Sequence, residues 1–114
     1  MSKYHAASGE VFSLGDDPAI HEATPRLLLK TPMLKVVRLV LDQGKEIATH
    51  SAPGEITVYC LEGRVAFECH GTTKELRPGD LLYLAASEPH ALFAHEPSAL
   101  LVTMVLPGTN AQST

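Results

Sequence analysis

The chain has 114 residues, a formal net charge of −4 and 45% hydrophobic residues, enough for one domain that buries a core without staples. Its modest acidity and lack of a basic stripe exclude nucleic acid as an expected partner. No apolar run reaches membrane-spanning length, and Met1-Ser2-Lys3-Tyr4-His5 lacks the charged-then-apolar layout of a secretory leader, so a cytoplasmic protein with no membrane partner is expected.

Residues 1–23 are weakly patterned and are expected to form an arm or a short edge strand. From there the chain reads as short apolar runs cut by turn residues. Arg26–Thr31 stops at Pro32, and Leu34–Leu41 stops at Asp42-Gln43-Gly44. Thr57–Leu61 lies between Pro53-Gly54 and Glu62-Gly63. Val65–Cys69 ends at His70-Gly71, and Thr73–Leu76 ends at Arg77-Pro78-Gly79-Asp80. Leu81–Leu84, His90–His95 and Ala99–Leu106 follow, before Pro107-Gly108. There is no sustained helical period. Strands of this length and rhythm predict an all-β sandwich, barrel or jelly roll. The expected layout is a single domain over 1–114, with a barrel over 26–106 and a loose tail over 107–114.

The segment around Glu62-Gly63 predicts a hairpin with a two-residue turn, pairing Leu61 with Arg64 and Cys60 with Val65. Alternation then puts Ile56, Val58, Cys60, Val65, Phe67 and Cys69 on one face. Thr57, Tyr59, Leu61, Arg64, Ala66 and Glu68 fall on the other. The first set is apolar or thiol and should face the interior. The same register sets Cys69 opposite Ile56 and far from Cys60, so both cysteines are expected free and inward.

Gly44, His50 and Gly63 have the spacing of the first signature motif of the cupin superfamily, and Gly79 and His90 that of the second. The chain therefore resembles a small single-domain cupin of the RmlC-like kind. That resemblance spans roughly residues 26–106 and is strengthened by Tyr59-Cys60-Leu61-Glu62-Gly63-Arg64-Val65 and Arg77-Pro78-Gly79-Asp80-Leu81. It implies a double-stranded β-helix, or jelly-roll barrel, with a divalent transition metal such as zinc, nickel, iron or copper in the lumen. It also implies a homodimer formed through the early strands. The motif's second histidine and its glutamate are here Ala52 and Ile56, while Glu55 stands one residue early and points outward by alternation. Ala85, Ser87 and Ala94 replace the second motif's proline, glycine and asparagine.

From the family's donor set this leaves His50 and His90 as the metal-binding candidates. Two imidazoles without a carboxylate make a weak, open site. The expected ligand pocket is lined by His50, Ile56, Val58, Cys60, Phe67, Cys69 and His90. Its expected occupant is a small, mainly apolar molecule; imidazoles facing such a cavity can also take an acidic ligand or move a proton without a metal. The competing reading is a metal-dependent cupin enzyme, of dioxygenase or isomerase type, with an altered ligand set that a thiolate would bias toward zinc or copper. Elsewhere His70 reads as a solvated hairpin-tip residue, His95 and Tyr59 as outward, Glu46 as a solvated edge residue, and His5 and His21 as parts of the arm. Arg26-Leu27-Leu28-Leu29-Lys30 is too apolar for an exposed edge, which favours the dimer.

Overall fold

The computed structural model describes residues 8–12, 14 and 26–107. His5, His21 and the tail from residue 108 onward lie outside the described residues, as does most of the expected arm. Nine strands follow one another without a helix among the described residues: β1 (Arg26–Lys30), β2 (Leu34–Leu41), β3 (Glu46–His50), β4 (Ile56–Glu62), β5 (Val65–Cys69), β6 (Thr72–Leu76), β7 (Leu81–Leu84), β8 (His90–Ala94) and β9 (Ser98–Val105). They form two antiparallel sheets, ordered β1-β2-β9-β4-β7 and β3-β8-β5-β6. The architecture is an all-β jelly roll, whose two inner faces enclose the core.

The expected pairing of β4 with β5 is not what forms. β4 pairs with β7 and β9, whereas β5 pairs with β6 and β8. Glu62-Gly63 is thus a crossover between sheets. Cys69 stands opposite Thr72 and His90, not Ile56. A type I′ hairpin turn needs positive φ at both central residues. Of the pair Glu62-Gly63 only Gly63 has it, at +84°, whereas His70 and Gly71 have 55° and 75°. The two-residue hairpin therefore forms at His70-Gly71, between β5 and β6. At Gly63 a side chain would also run into Ser98 and the Pro97 carbonyl.

The face assignment survives the change of partner, because alternation belongs to the strand itself. Ile56, Val58, Cys60, Val65, Phe67 and Cys69 are all buried, and Tyr59 and Glu68 are exposed. The chain holds both cysteines as free, buried thiols. A further strand, β3, occupies a segment with no strand expectation. It is an edge strand whose only apolar residue beyond the alanine is Ile47, so its pattern is too sparse to read.

The ladders stack side chains in rows across the interior. In the larger sheet the rows are Lys35–Met104–Ile56, then Val37–Val102–Val58, then Leu39–Leu100–Cys60. In the smaller sheet they are His50–His90–Cys69, then Ile47–Leu92–Phe67, then Ala94–Val65. The third rows contain Leu100, Cys60, Ala94 and Val65, all fully buried. They close one end of the sandwich, and the first rows stand at the other.

Candidate functional site

The open end holds a cavity of about 310 Å³. Its walls come from the first and second rows of both sheets: Lys35, Val37, Ile56, Val58, Val102 and Met104 on one side, His50, His90, Leu92, Phe67 and Ile47 on the other, with Leu39 and Ala52 completing the lining. Of the expected pocket residues the structure brings His50, Ile56, Val58, Phe67 and His90 together here. Cys60 and Cys69 lie outside the lining. Cys60 belongs to the third row, two ladder steps deeper, where its thiol contacts the Glu62 carbonyl oxygen at 3.4 Å. Burial, with the Asp80 carboxylate second, pushes that thiol up, so it stays protonated at neutral pH. Cys69 instead lines a separate depression with Thr49, His70, Glu88 and His90.

His50 and His90 are direct cross-strand partners, and their ring centroids are 4.3 Å apart. Their surroundings differ. His50 is exposed at the mouth, whereas His90 is 5% exposed and stacked on Phe67 with centroids at 5.3 Å. Their local wiring is the same. Each Nδ1 meets a backbone carbonyl two residues upstream, His50 with Ala48 at 3.1 Å and His90 with Glu88 at 3.0 Å. A carbonyl only accepts, so Nδ1 carries the proton in both rings, and each neutral ring keeps the Nε2 lone pair for a ligand. Desolvation lowers the pKa of His90, and the neighbouring His50 lowers it further.

The other two described histidines sit elsewhere. His70 is exposed at its hairpin tip and meets the Glu88 carboxylate at 3.0 Å. His95 points away from the lumen, 3.4 Å from Glu75 and edge-on to Phe93. Glu46 is exposed. Glu55 is exposed too, and its carboxylate accepts a hydrogen bond from the Tyr83 hydroxyl at 2.7 Å.

The model of the cupin domain family matches residues 37–106. The chain belongs to the cupin family. Three solved structures are among those it resembles. The conserved SPY1581 protein of unknown function from Streptococcus pyogenes is 28% identical with a TM-score of 0.77, over 92% of this chain and 94% of that one. An RmlC-like cupin from Desulfovibrio desulfuricans is 24% identical with a TM-score of 0.73, over 84% of this chain and 95% of that one, a likeness of fold alone. A salicylate 1,2-dioxygenase from Pseudaminobacter salicylatoxidans is 28% identical with a TM-score of 0.66, over 73% of this cupin but 24% of that enzyme. No curated protein matches the sequence.

Cupins often hold a transition metal, so the donor set decides whether this lumen fits one. Ala52 and Ile56 line the cavity where the family motif supplies an imidazole and a carboxylate. Among the described residues no three His, Cys, Asp or Glu side chains are grouped to hold a metal ion. The residues present do not fit the three- or four-donor centre of the motif. Sequence reasoning also missed a lining residue, Lys35. The alternation Lys35, Val37, Leu39 was its signal, but β2 is apolar on both faces and period two alone does not say which one faces in.

Proposed function

We propose that this cupin binds a small, mainly apolar organic molecule in its lumen, with His50 and His90 as the polar end of the site. The supporting observation is the cavity itself: about 310 Å³, walled by two layers of aliphatic and aromatic side chains and reached by two imidazoles whose Nε2 atoms have no partner among the described residues. That volume is at the small end of ligand pockets. Filling it tests the reading. Val102→Phe should remove the melting-temperature gain that small aliphatic and aromatic compounds give the native protein, while the variant remains folded. If no compound of this size stabilises the native chain, the reading fails.

A second reading is a metal-dependent dioxygenase or isomerase with altered ligands. It is favoured by the retained His50–His90 pair and by the likeness to the salicylate dioxygenase. Metal content per subunit, on untagged protein purified without chelator or added metal, separates the two. Near-stoichiometric zinc, nickel, iron or copper would favour the enzyme, and metal-free protein that still binds small molecules would favour the first reading.

We further infer a two-fold dimer. Its support is the outer face of the larger sheet, where Tyr59 and Leu81 are direct partners and Tyr83 stands nearby, all exposed. β1 remains an edge strand, with Leu28 buried and Leu27 and Leu29 half-buried. Light scattering of the purified chain tests this. No helix among the described residues is long and apolar enough to cross a membrane.

A further inference from the structure

The charge pattern of the cavity is one-sided. Three of its lining residues, Lys35, His50 and His90, can carry positive charge, and no aspartate or glutamate lines it. This occurs in a chain whose formal net charge is −4. Lys35 projects from β2 opposite Met104, hence on the face shared with Ile56. It is half-buried, its stem lying along apolar wall as long cationic side chains do. No hydrogen bond or ion pair links its side chain to another described residue.

On its other side, Lys35 pairs directly with Lys30 of β1. Like charges directly opposite in a ladder repel, and a sheet gains by setting an acid against a base. Lys30 has no acidic partner among the described residues either. Lys35 thus sets a cation at the rim of an apolar floor, with no carboxylate among the lining residues to neutralise it.

We propose that the occupant of the lumen is a small organic monoanion, a carboxylate on an apolar body. The carboxylate is held by Lys35, and the body rests on Val37, Val58, Phe67 and Val102 beside the two imidazoles. This rests on the lumen-binding reading above. A doubly charged phosphate suits the site poorly. The lining holds no arginine, no glycine-rich backbone cradle and too few donors for three phosphate oxygens. The apolar floor, moreover, needs a body that buries carbon surface.

The experiment is calorimetry on the full chain with two matched probe pairs, benzoate with benzamide and hexanoate with hexanamide. Each pair shares shape and differs in charge. The acids should bind about tenfold tighter than the amides, the difference between a charge-assisted and a neutral hydrogen bond. In Lys35→Met the acid-over-amide preference should fall to about unity, through weaker acid binding far more than through any change in amide binding. The melting temperature of that variant should hold or rise, because the repulsion with Lys30 is gone. Lys35→Gln serves as the second variant. Equal binding of acid and amide by the native protein would overturn the anion assignment and leave the lumen reading standing. Binding of none of the four would overturn both. A Lys35→Met protein that melts well below the native one would also overturn the assignment, since it would mean that Lys35 is already engaged.

Discussion

Restoring the family's donors with Ala52→His and Ile56→Glu tests whether the lumen keeps the geometry of a metal centre. Both positions line the cavity with His50 and His90. Ile56 is 5% exposed, between Met104 and Leu84 in the ladder. Losing its burial costs about 1.5–3 kcal/mol. A carboxylate there meets apolar wall on both sides and, without metal, should be partly protonated, which adds about 1–3 kcal/mol. The metal-free double variant should therefore lose about 3–5 kcal/mol, within the 5–15 kcal/mol of a typical domain (~4 °C of melting temperature per kcal/mol). A metal present at about 1,000 times its dissociation constant returns about 4 kcal/mol. The expected record is a melting temperature depressed by roughly 12–20 °C and largely restored by one of zinc, nickel, iron(II) or copper, with no such response in the native chain. Scanning calorimetry reads the shift, and circular dichroism verifies the fold. A folded double variant that answers to none of the four metals would refute the reasoning, because positions 52 and 56 would not converge with the two histidines.

Two further predictions concern the frame and the buried imidazole. Gly44 and Gly63 have nearly equal φ, +83° and +84°, but Gly44 has open space around it while Gly63 abuts Ser98 and Pro97. Alanine at either should cost about 1–2 kcal/mol for the left-handed backbone, and Gly63→Ala should cost about 1–3 kcal/mol more for overpacking; equal urea midpoints for the two variants would contradict the crossover described here. Folding lowers the pKa of His90 from its ordinary 6.5, mainly by desolvation, so the unfolded chain takes up this proton more readily than the folded one. Stability from this source is therefore complete above pH 6.5 and declines as the pH falls through that value toward the lower folded pKa. His90→Phe should flatten the decline in a pH series of urea melts.

The features legible in the sequence were those that depend on a single strand. Alternation fixed the inward set from Ile56 to Cys69 whatever the partner strands, and turn residues bounded most strands to within one or two positions. Pairing was less accessible. Glu62-Gly63 and His70-Gly71 are both residue-glycine steps between apolar runs, and the choice between crossover and hairpin depends on a second positive φ and on the Ser98 wall. β3 lacked contrast because an edge strand with one buried-leaning residue need not alternate. The histidine pair came from motif spacing, but its equivalent Nδ1 contacts are backbone geometry, and Lys35 belongs to a strand that is apolar on both faces.

The replacement at position 56 links the lost metal donors to the proposed anion. In the family motif this position supplies a carboxylate, negative charge set against imidazoles and a cation. Ile56 removes that charge and leaves Lys35 with no acid among the lining residues. On the proposed reading, the loss of a cation-site donor is what favours an anion in the same lumen. Affinity and discrimination then come from different walls. The apolar rows supply binding that an acid and its amide share, and the rim supplies only the difference between them. Ile56→Glu alone, kept metal-free with chelator, should accordingly lose the preference for benzoate over benzamide while lowering benzamide affinity far less, because the new carboxylate occupies the role the ligand would take. A preference that persists in the folded single variant would refute this electrostatic account.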